Sequence, residues 1–242
     1  KEVFLYSENI KFVDVATLNR SYKSIGGVLF DKEKKLLYIP KNIANGTYEI
    51  PNGTISIQDH TFYWRNYLTS VEFPDTLIHI GKSAFKDCKN LSVVHLSDNL
   101  VSIGESAFSG CGKLNSIVFP HSLKCIGDHA FKQCENLCAL SIPQSVQIIG
   151  KGAFCECNSL VIEVCVTNLY FSVVDGVFVD QEGRGVFAST NAVKGDYSIP
   201  KCIKIIDEAL FKNCDQLQSV KIHGGVEEIG DSAFEDCGNL KF

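Results

Sequence analysis

Methionine is absent from the 242-residue chain, tryptophan occurs once and proline six times. No apolar run approaches the ~18 residues that read as a membrane-spanning helix, so membrane insertion by this segment is not expected. Positive charge is not gathered anywhere. The net charge is −5, and the densest basic stretch, Lys32-Glu33-Lys34-Lys35, reads as a solvated turn rather than a phosphate site. Neither a nucleic-acid partner nor an anionic membrane surface is expected. The opening Lys1-Glu2-Val3-Phe4 lacks the basic, apolar, small-residue order of a secretory signal. With no initiator methionine, the numbering is expected to begin inside a longer precursor. The motifs of chemistry are missing too: there is no H-E-x-x-H, no phosphate-cradling P-loop and no G-x-G-x-x-G. Gly104-Glu105-Ser106-Ala107-Phe108 lacks the second glycine of a nucleophile elbow, and its siblings recur along the chain. Cys155-Glu156-Cys157 has no second Cys or His pair at zinc-ligand spacing. No catalytic residue, cofactor or metal is therefore expected, and the chain does not read as an enzyme.

What is present is repetition. Ile80-Gly81-Lys82-Ser83-Ala84-Phe85-Lys86-Asp87-Cys88 returns 23 residues later from Ile103 to Cys111, then from Ile126 to Cys134 and from Ile149 to Cys157. Two further copies run from Ile206 to Cys214 and from Ile229 to Cys237, and a degenerate one carries Ile57, Phe62 and Leu68 in register. Self-similarity at this period is the signature of stacked coils. A second unit recurs at an offset of 149 residues: Gly27-Val28-Leu29-Phe30-Asp31 matches Gly176-Val177-Phe178-Val179-Asp180, and Tyr48 to Pro51 matches Tyr197 to Pro200. Each reads as strand, polar turn, strand, as in Val28 to Phe30, Asp31 to Lys34 and Leu36 to Ile39.

Within one repeat, Leu91, Val94 and Leu96 point inward and two-residue alternation marks a strand. Pro or its equivalent ends it. Leu100 and Ile103 form a second inward stretch, Gly104 is expected to permit a tight turn, and Ser106-Ala107-Phe108 to begin a brief helical or 3₁₀ turn. Coils that cannot bury their own apolar face bury it against neighbours. The expected fold is a right-handed repeat solenoid of the α/β leucine-rich type. It has ~23-residue coils, parallel strands on one face, short helical turns opposite and two inserted β-hairpin units. Roughly ten coils at ~4.8 Å per strand would span roughly 50 Å. The whole of 1–242 reads as one solenoid: a partial repeat with the first hairpin unit over 1–56, regular repeats over 57–164, the second hairpin unit over 165–205, and regular repeats over 206–242. No polar cap follows Leu240, so further repeats are expected beyond the last residue.

The motifs L-x-x-[IV]-x-[IVLF]-P and I-G-x-x-A-F-x-x-C resemble the BspA-type leucine-rich repeats of bacterial and protozoan surface proteins. The chain departs from that pattern at Asp207 for Gly, Leu210 for Ala, Ser97 and His223 for Pro, and Arg65 for Cys. The resemblance implies a non-enzymatic adhesion module at the cell surface or secreted, binding host or extracellular-matrix proteins. The rival reading is an intracellular scaffold or inhibitor, since eleven cysteines without evident pairing suit a reducing compartment.

Six of those cysteines occupy one repeat position and are expected to be buried free thiols; Cys125, Cys138, Cys155, Cys165 and Cys202 fall outside it, and one disulfide among them stays open. His60 and His129 share a loop position and are expected to be exposed. The sequons at Asn19, Asn45, Asn52 and Asn90 are candidate glycan acceptors.

The candidate binding surface comes from the x positions of the strand, which architecture leaves free. They are Thr69, Ser70 and Glu72; Ser92, Val93 and His95; Asn115, Ser116 and Val118; Cys138, Ala139 and Ser141; and Gln218, Ser219 and Lys221. The alternative is an inert solvated sheet. No large aromatic anchor is evident among them. The hairpins after Gly27 and Gly176 are the competing site, since insertions often decorate a solenoid's binding face.

Overall fold

The computed structural model describes residues 9–40, 42 and 46–241. It is a β-solenoid of about eight turns. Two parallel ladders line two of its faces, each interrupted along the chain. One is built from the L-x-x-[IV] strands, such as Leu68–Glu72 and Val93–His95; the other stacks two-residue strands, His79–Ile80 on Ser102–Ile103 on Cys125–Ile126 on Ile148–Ile149. The third face carries the A-F-x-x-C segments.

That third face corrects the expectation of helical turns: among the described residues no helix of any kind is present. Each segment instead places two residues four apart in the left-handed region, as at Ser83 (φ 51°) and Asp87 (φ 58°), Ser106 (φ 54°) and Gly110 (φ 74°), and His129 (φ 54°) and Gln133 (φ 60°). The backbone donors then alternate. Ser83, Phe85 and Asp87 donate to Glu105, Ala107 and Ser109 of the next coil at 2.7–2.8 Å, while Ala84, Lys86 and Cys88 donate three residues back. An α-helix would need every donor for its own turn. Here half are given to the neighbour, so the face is a third intercoil ladder.

The glycine of I-G-x-x-A-F is not there for a positive φ, which corrects the tight-turn reading. A Cβ on Gly104 would stand 2.7 Å from the carbonyl carbon of Gly81 in the preceding coil. The residue is small so that coils can close up. Asp207 is tolerated in this column because the unit before it is a hairpin insertion, not a regular coil.

Phenylalanines stack through the interior, with ring centroids 4.6 Å apart for Phe62–Phe85, 5.2 Å for Phe85–Phe108, 5.4 Å for Phe108–Phe131 and 5.9 Å for Phe131–Phe154. The stack resumes at Phe211–Phe234. The buried apolar residues form two clusters, one reaching from Val28 to Val186 and one from Val177 to Ala233.

The inserted units are three-stranded antiparallel meanders: Tyr22–Ile25, Val28–Asp31 and Lys35–Tyr38 in the first, Phe171–Val174, Val177–Asp180 and Arg184–Ala188 in the second. Both first turns use a glycine at φ 82°, Gly27 and Gly176. Asp31 and Asp180 close the second turns by accepting the amides of Lys35 and Arg184 at 2.9 and 2.8 Å.

All eleven cysteines are free. Ladder thiols donate to the phenylalanine carbonyl 26 residues earlier, Cys88 to Phe62 at 3.0 Å and Cys111 to Phe85 at 3.2 Å among them. Arg65 reproduces that bond from the same column, donating from Nη2 to Ile39 at 2.8 Å. The Pro replacements are equally local. Ser97 Oγ accepts the amide of Asn99 and His223 Nδ1 that of Gly225, both at 3.1 Å.

Candidate protein-binding face

The strand face is set by alternation. In Leu68–Glu72 the pattern is buried, exposed, half-buried, buried, exposed, which holds Leu68 and Val71 in the core and turns Thr69, Ser70 and Glu72 out. Parallel pairing then aligns equivalent positions of successive coils into rows. Ser70 lies beside Val93, Val93 bridges to Ser116, and Glu72 lies beside His95. Asn115 and Val118 are exposed in the next coil, Val118 at 82%.

Ser141, Cys138 and Ala139 are exposed as well, but their strand Ala139–Ile142 pairs forward with Val161–Val164. Gln218, Ser219 and Lys221 sit on Leu217–Lys221, which pairs with Gly195–Ser198 of the second meander unit. The outward residues therefore form three strand patches rather than one continuous sheet. The side chains are short, and some are already engaged: Ser92 Oγ donates to the carbonyl of Thr69 at 3.2 Å, and Ser219 Oγ to Asp196 Oδ1 at 2.6 Å.

The second meander introduces a polar seam that sequence reasoning missed. Asp207, 2% exposed, accepts from Arg184 Nη1 at 3.1 Å and from the amide of Gly152 at 3.3 Å. Arg184 also bonds Asp180 at 3.1 Å and the carbonyl of Ile149. Beside them Glu208 meets His129 at 3.2 Å and Lys132 at 3.4 Å. Burial pushes the Glu208 carboxyl up, but the hydrogen bonds and charges of His129 and Lys132 outweigh it and hold the group below its ordinary value. His60 and His129 are half-buried, not exposed as expected: the His60 ring packs edge-on to Tyr63, and the His129 ring lies against Gly152 of the next coil and bonds Glu208. The signal for the seam was the aspartate in a glycine column.

A second omission is aromatic. Trp64 is 60% exposed and Tyr67 65%, at the corner where the third face meets the strand face. The expectation that no aromatic anchor exists holds for the strand rows but not for this corner. Register comparison would have found it, since the columns of Tyr63, Trp64 and Tyr67 carry polar or small residues in the other coils.

Of the sequon asparagines, Asn19 accepts the amides of Ser21 and Tyr22 at 2.9 and 2.8 Å, Asn52 is exposed, and Asn90 donates from Nδ2 to the carbonyl of Asn66 at 2.8 Å. Asn45 lies outside the described residues. Among the described residues no group of three or more His, Cys, Asp or Glu side chains is arranged to hold a metal ion, and no helix is long and apolar enough to cross a membrane. Burial pushes the thiols of Cys88, Cys157 and Cys214 up to about 12, and those of Cys111 and Cys134 well above their usual value. Such thiols are packing groups, since the thiolate is the reactive form.

Among solved structures, a leucine-rich repeat protein from Bacteroides ovatus is similar at 22% identity and a TM-score of 0.56, over 94% of this chain and 81% of that one. A leucine-rich cell surface protein from Faecalibacterium prausnitzii is similar at 23% and 0.52, over 93% and 76%. The pneumococcal vaccine antigen PcpA is similar at 18% and 0.58, over 96% and 70%. These likenesses establish the fold. No curated protein matches the chain. The BspA type leucine rich repeat region matches in six copies over residues 40–161 and 180–242. With the coils, the phenylalanine stack and the cysteine ladder all built from that repeat, the chain belongs to the BspA-type leucine-rich repeat family.

Proposed function

We propose that the chain is a non-enzymatic protein-binding module of a cell-surface or secreted protein, and that it adheres to host or extracellular-matrix proteins through the strand face. One observation carries this reading: the rows Thr69–Ser92–Asn115 and Glu72–His95–Val118 point outward and hold no core position. Mostly uncharged side chains repeated across coils suit an extended partner whose contacts spread along the solenoid rather than converge on a pocket. The presence of a cell surface protein and a vaccine antigen among the similar structures supports the location. A scaffold inside the cell is the second reading, favoured by eleven unpaired thiols.

The test is binding of the intact chain to a panel of immobilised extracellular-matrix proteins, alongside a Thr69→Arg, Ser116→Arg, Ser141→Arg variant. Loss of at least tenfold in affinity, about 1.4 kcal/mol, is the expected result. A variant that binds as the parent does removes the strand face from consideration.

A further inference from the structure

The corner formed by Tyr63, Trp64 and Tyr67 is not explained by the solenoid. In the coils that follow, the Trp64 column holds Asp87, Gly110, Gln133, Glu156, Asn213 and Asp236, and the Tyr67 column holds Asn90, Lys113, Asn136, Ser159, Gln216 and Asn239. The architecture runs on small or polar residues at both places. Trp64 also stands at φ 60°, a backbone region in which a bulky side chain is an outlier. Backbone strain at an exposed aromatic, where six sibling coils carry something simpler, points to a role outside packing.

We propose that this corner is a carbohydrate-binding platform for hexopyranose rings. The indole of Trp64 lies parallel to the ring of Tyr63, 4° from coplanar orientation and 5.7 Å between centroids, and Trp64 is 60% exposed. Its apolar faces match the C–H face of a pyranose, which carries hydroxyls at its rim. Beside the rings the two carboxamides are held by the coil contacts. Asn66 Oδ1 accepts the amide of Lys89 at 3.1 Å, a bond that does not use its Nδ2 donors; Asn90 Nδ2 donates to the carbonyl of Asn66 at 2.8 Å, a bond that does not use its Oδ1. Asn66 lies between Trp64 and Tyr67 in the sequence and Asn90 is the counterpart of Tyr67 in the next coil, so this corner offers a donor and an acceptor, the pair a sugar diol requires.

A protein hot spot fits less well. Such anchors sit inside a desolvated apolar patch ringed by further contacts, whereas the backbone neighbours of Trp64 here are polar, Lys86 in the adjacent coil and Asn66 in its own. The platform is shallow and open, so a single sugar gains little buried area and the affinity belongs on the order of millimolar. This inference does not depend on the strand-face reading.

Trp64 is the single tryptophan of the chain, so its emission reports on this corner alone. The intact chain is titrated with methyl β-glucoside, methyl β-galactoside, methyl α-mannoside and N,N′-diacetylchitobiose. Tryptophan emission is followed together with saturation-transfer NMR on the sugar ring protons. The expected result is a saturable emission change and ring-proton transfer for at least one sugar, with transfer lost in Trp64→Asn and weakened about tenfold in Tyr67→Asn. Asparagine is chosen because Asn213 holds the same backbone conformation, at φ 61°. A folded Trp64→Asn chain is confirmed by its thermal melt. The Ser141→Arg chain, altered on the strand face, is expected to keep full sugar binding. Silence of all the sugars up to about 50 mM, well above the expected dissociation constant, would overturn the proposal. So would transfer that survives Trp64→Asn.

Discussion

A Cβ on Gly127 would stand 2.5 Å from the amide nitrogen of Glu105 in the coil before it, and 2.7 Å from the carbonyl carbon of Gly104. The close atoms are all backbone of that coil, which leaves nothing flexible to give way. Gly127→Ala is therefore expected to destabilise by about 1–3 kcal/mol as an overpacked contact. Gly112→Ala, with nothing within 4 Å, should change stability by less than about 0.5 kcal/mol. Chemical denaturation of the two variants compares them directly. Phe131 lies between Phe108 and Phe154 in the stack and is fully buried, so Phe131→Ala should cost about 3–5 kcal/mol. A melt like that of the parent would contradict the stack. Trp64→Asn should do the opposite and stabilise by about 1 kcal/mol, because asparagine adopts the left-handed region more readily than tryptophan. Thiol reactivity divides along the same lines. Cys138 and Cys202 are exposed and should react with a disulfide reagent in the native state. The buried ladder thiols should react only on unfolding.

The ladders of elements show what was legible in the sequence and what was not. Leu91, Val94, Phe108 and Cys111 return at the 23-residue spacing, and that repeat, with the tendency of free cysteine to pack as a small hydrophobe, assigned them to the core, where they lie. The turn face was misjudged because Ser106-Ala107-Phe108 has helix-compatible side chains, and the choice between helix and ladder rests on where the amide donors go. Donors shared with a neighbouring coil leave no trace in local composition. Glycine had the same ambiguity, since a column of Gly reads equally as positive φ or as close approach. The charged seam was hidden for another reason. Arg184 and Asp207 are 23 residues apart and their pairing depends on how the meander meets the coil after it. The strand rows were placed outward correctly by alternation, yet their division into patches follows from the second meander and from the loss of regular pairing around Asn115–Val118. The seam makes its own prediction. Removing the guanidinium in Arg184→Met leaves Asp207 buried without its cationic partner, which is expected to cost about 3–5 kcal/mol. Adding Asp207→Gly, the residue most coils carry, should recover a large part of that loss. Equal destabilisation in the single and double variants would mean that the pair is not coupled.

At the scale of the whole molecule, the buried apolar residues fall into two clusters that meet at the second meander, whose strands contribute to both, and the polar seam lies at the same place. In a repeat protein each coil contacts its neighbours, so stability is a sum of coil and interface contributions, and a weak interface sets where cooperativity fails. The phenylalanine stack, continuous from Phe62 to Phe154, resumes only at Phe211; the second meander fills the interval with Phe171 and Phe178, and Arg184, Asp207, Glu208, His129 and Lys132 line its seam with the coils. Acid is expected to act on that interval through Glu208. Glu208 has a folded-state pKa below its ordinary value of 4.5, so it binds protons more weakly folded than unfolded. Its contribution is present in full above the unfolded value and is lost as pH falls through the lower folded value. Lys132 keeps its second carboxylate, Glu156 at 3.7 Å, so the loss falls on the contacts that Glu208 itself makes. The expected outcome is that near neutral pH the two clusters unfold together, whereas below about pH 4 the part containing Phe211 and Leu217 opens first. Hydrogen exchange read residue by residue should show the amides of Phe211 and Ile206 losing protection before those of Phe85 and Phe108. In Glu208→Gln the order should already be present at neutral pH and should change little on acidification. If the Phe211 cluster of the parent kept its protection down to about pH 3 while Phe85 lost it, Glu208 would not be the group that joins the two halves.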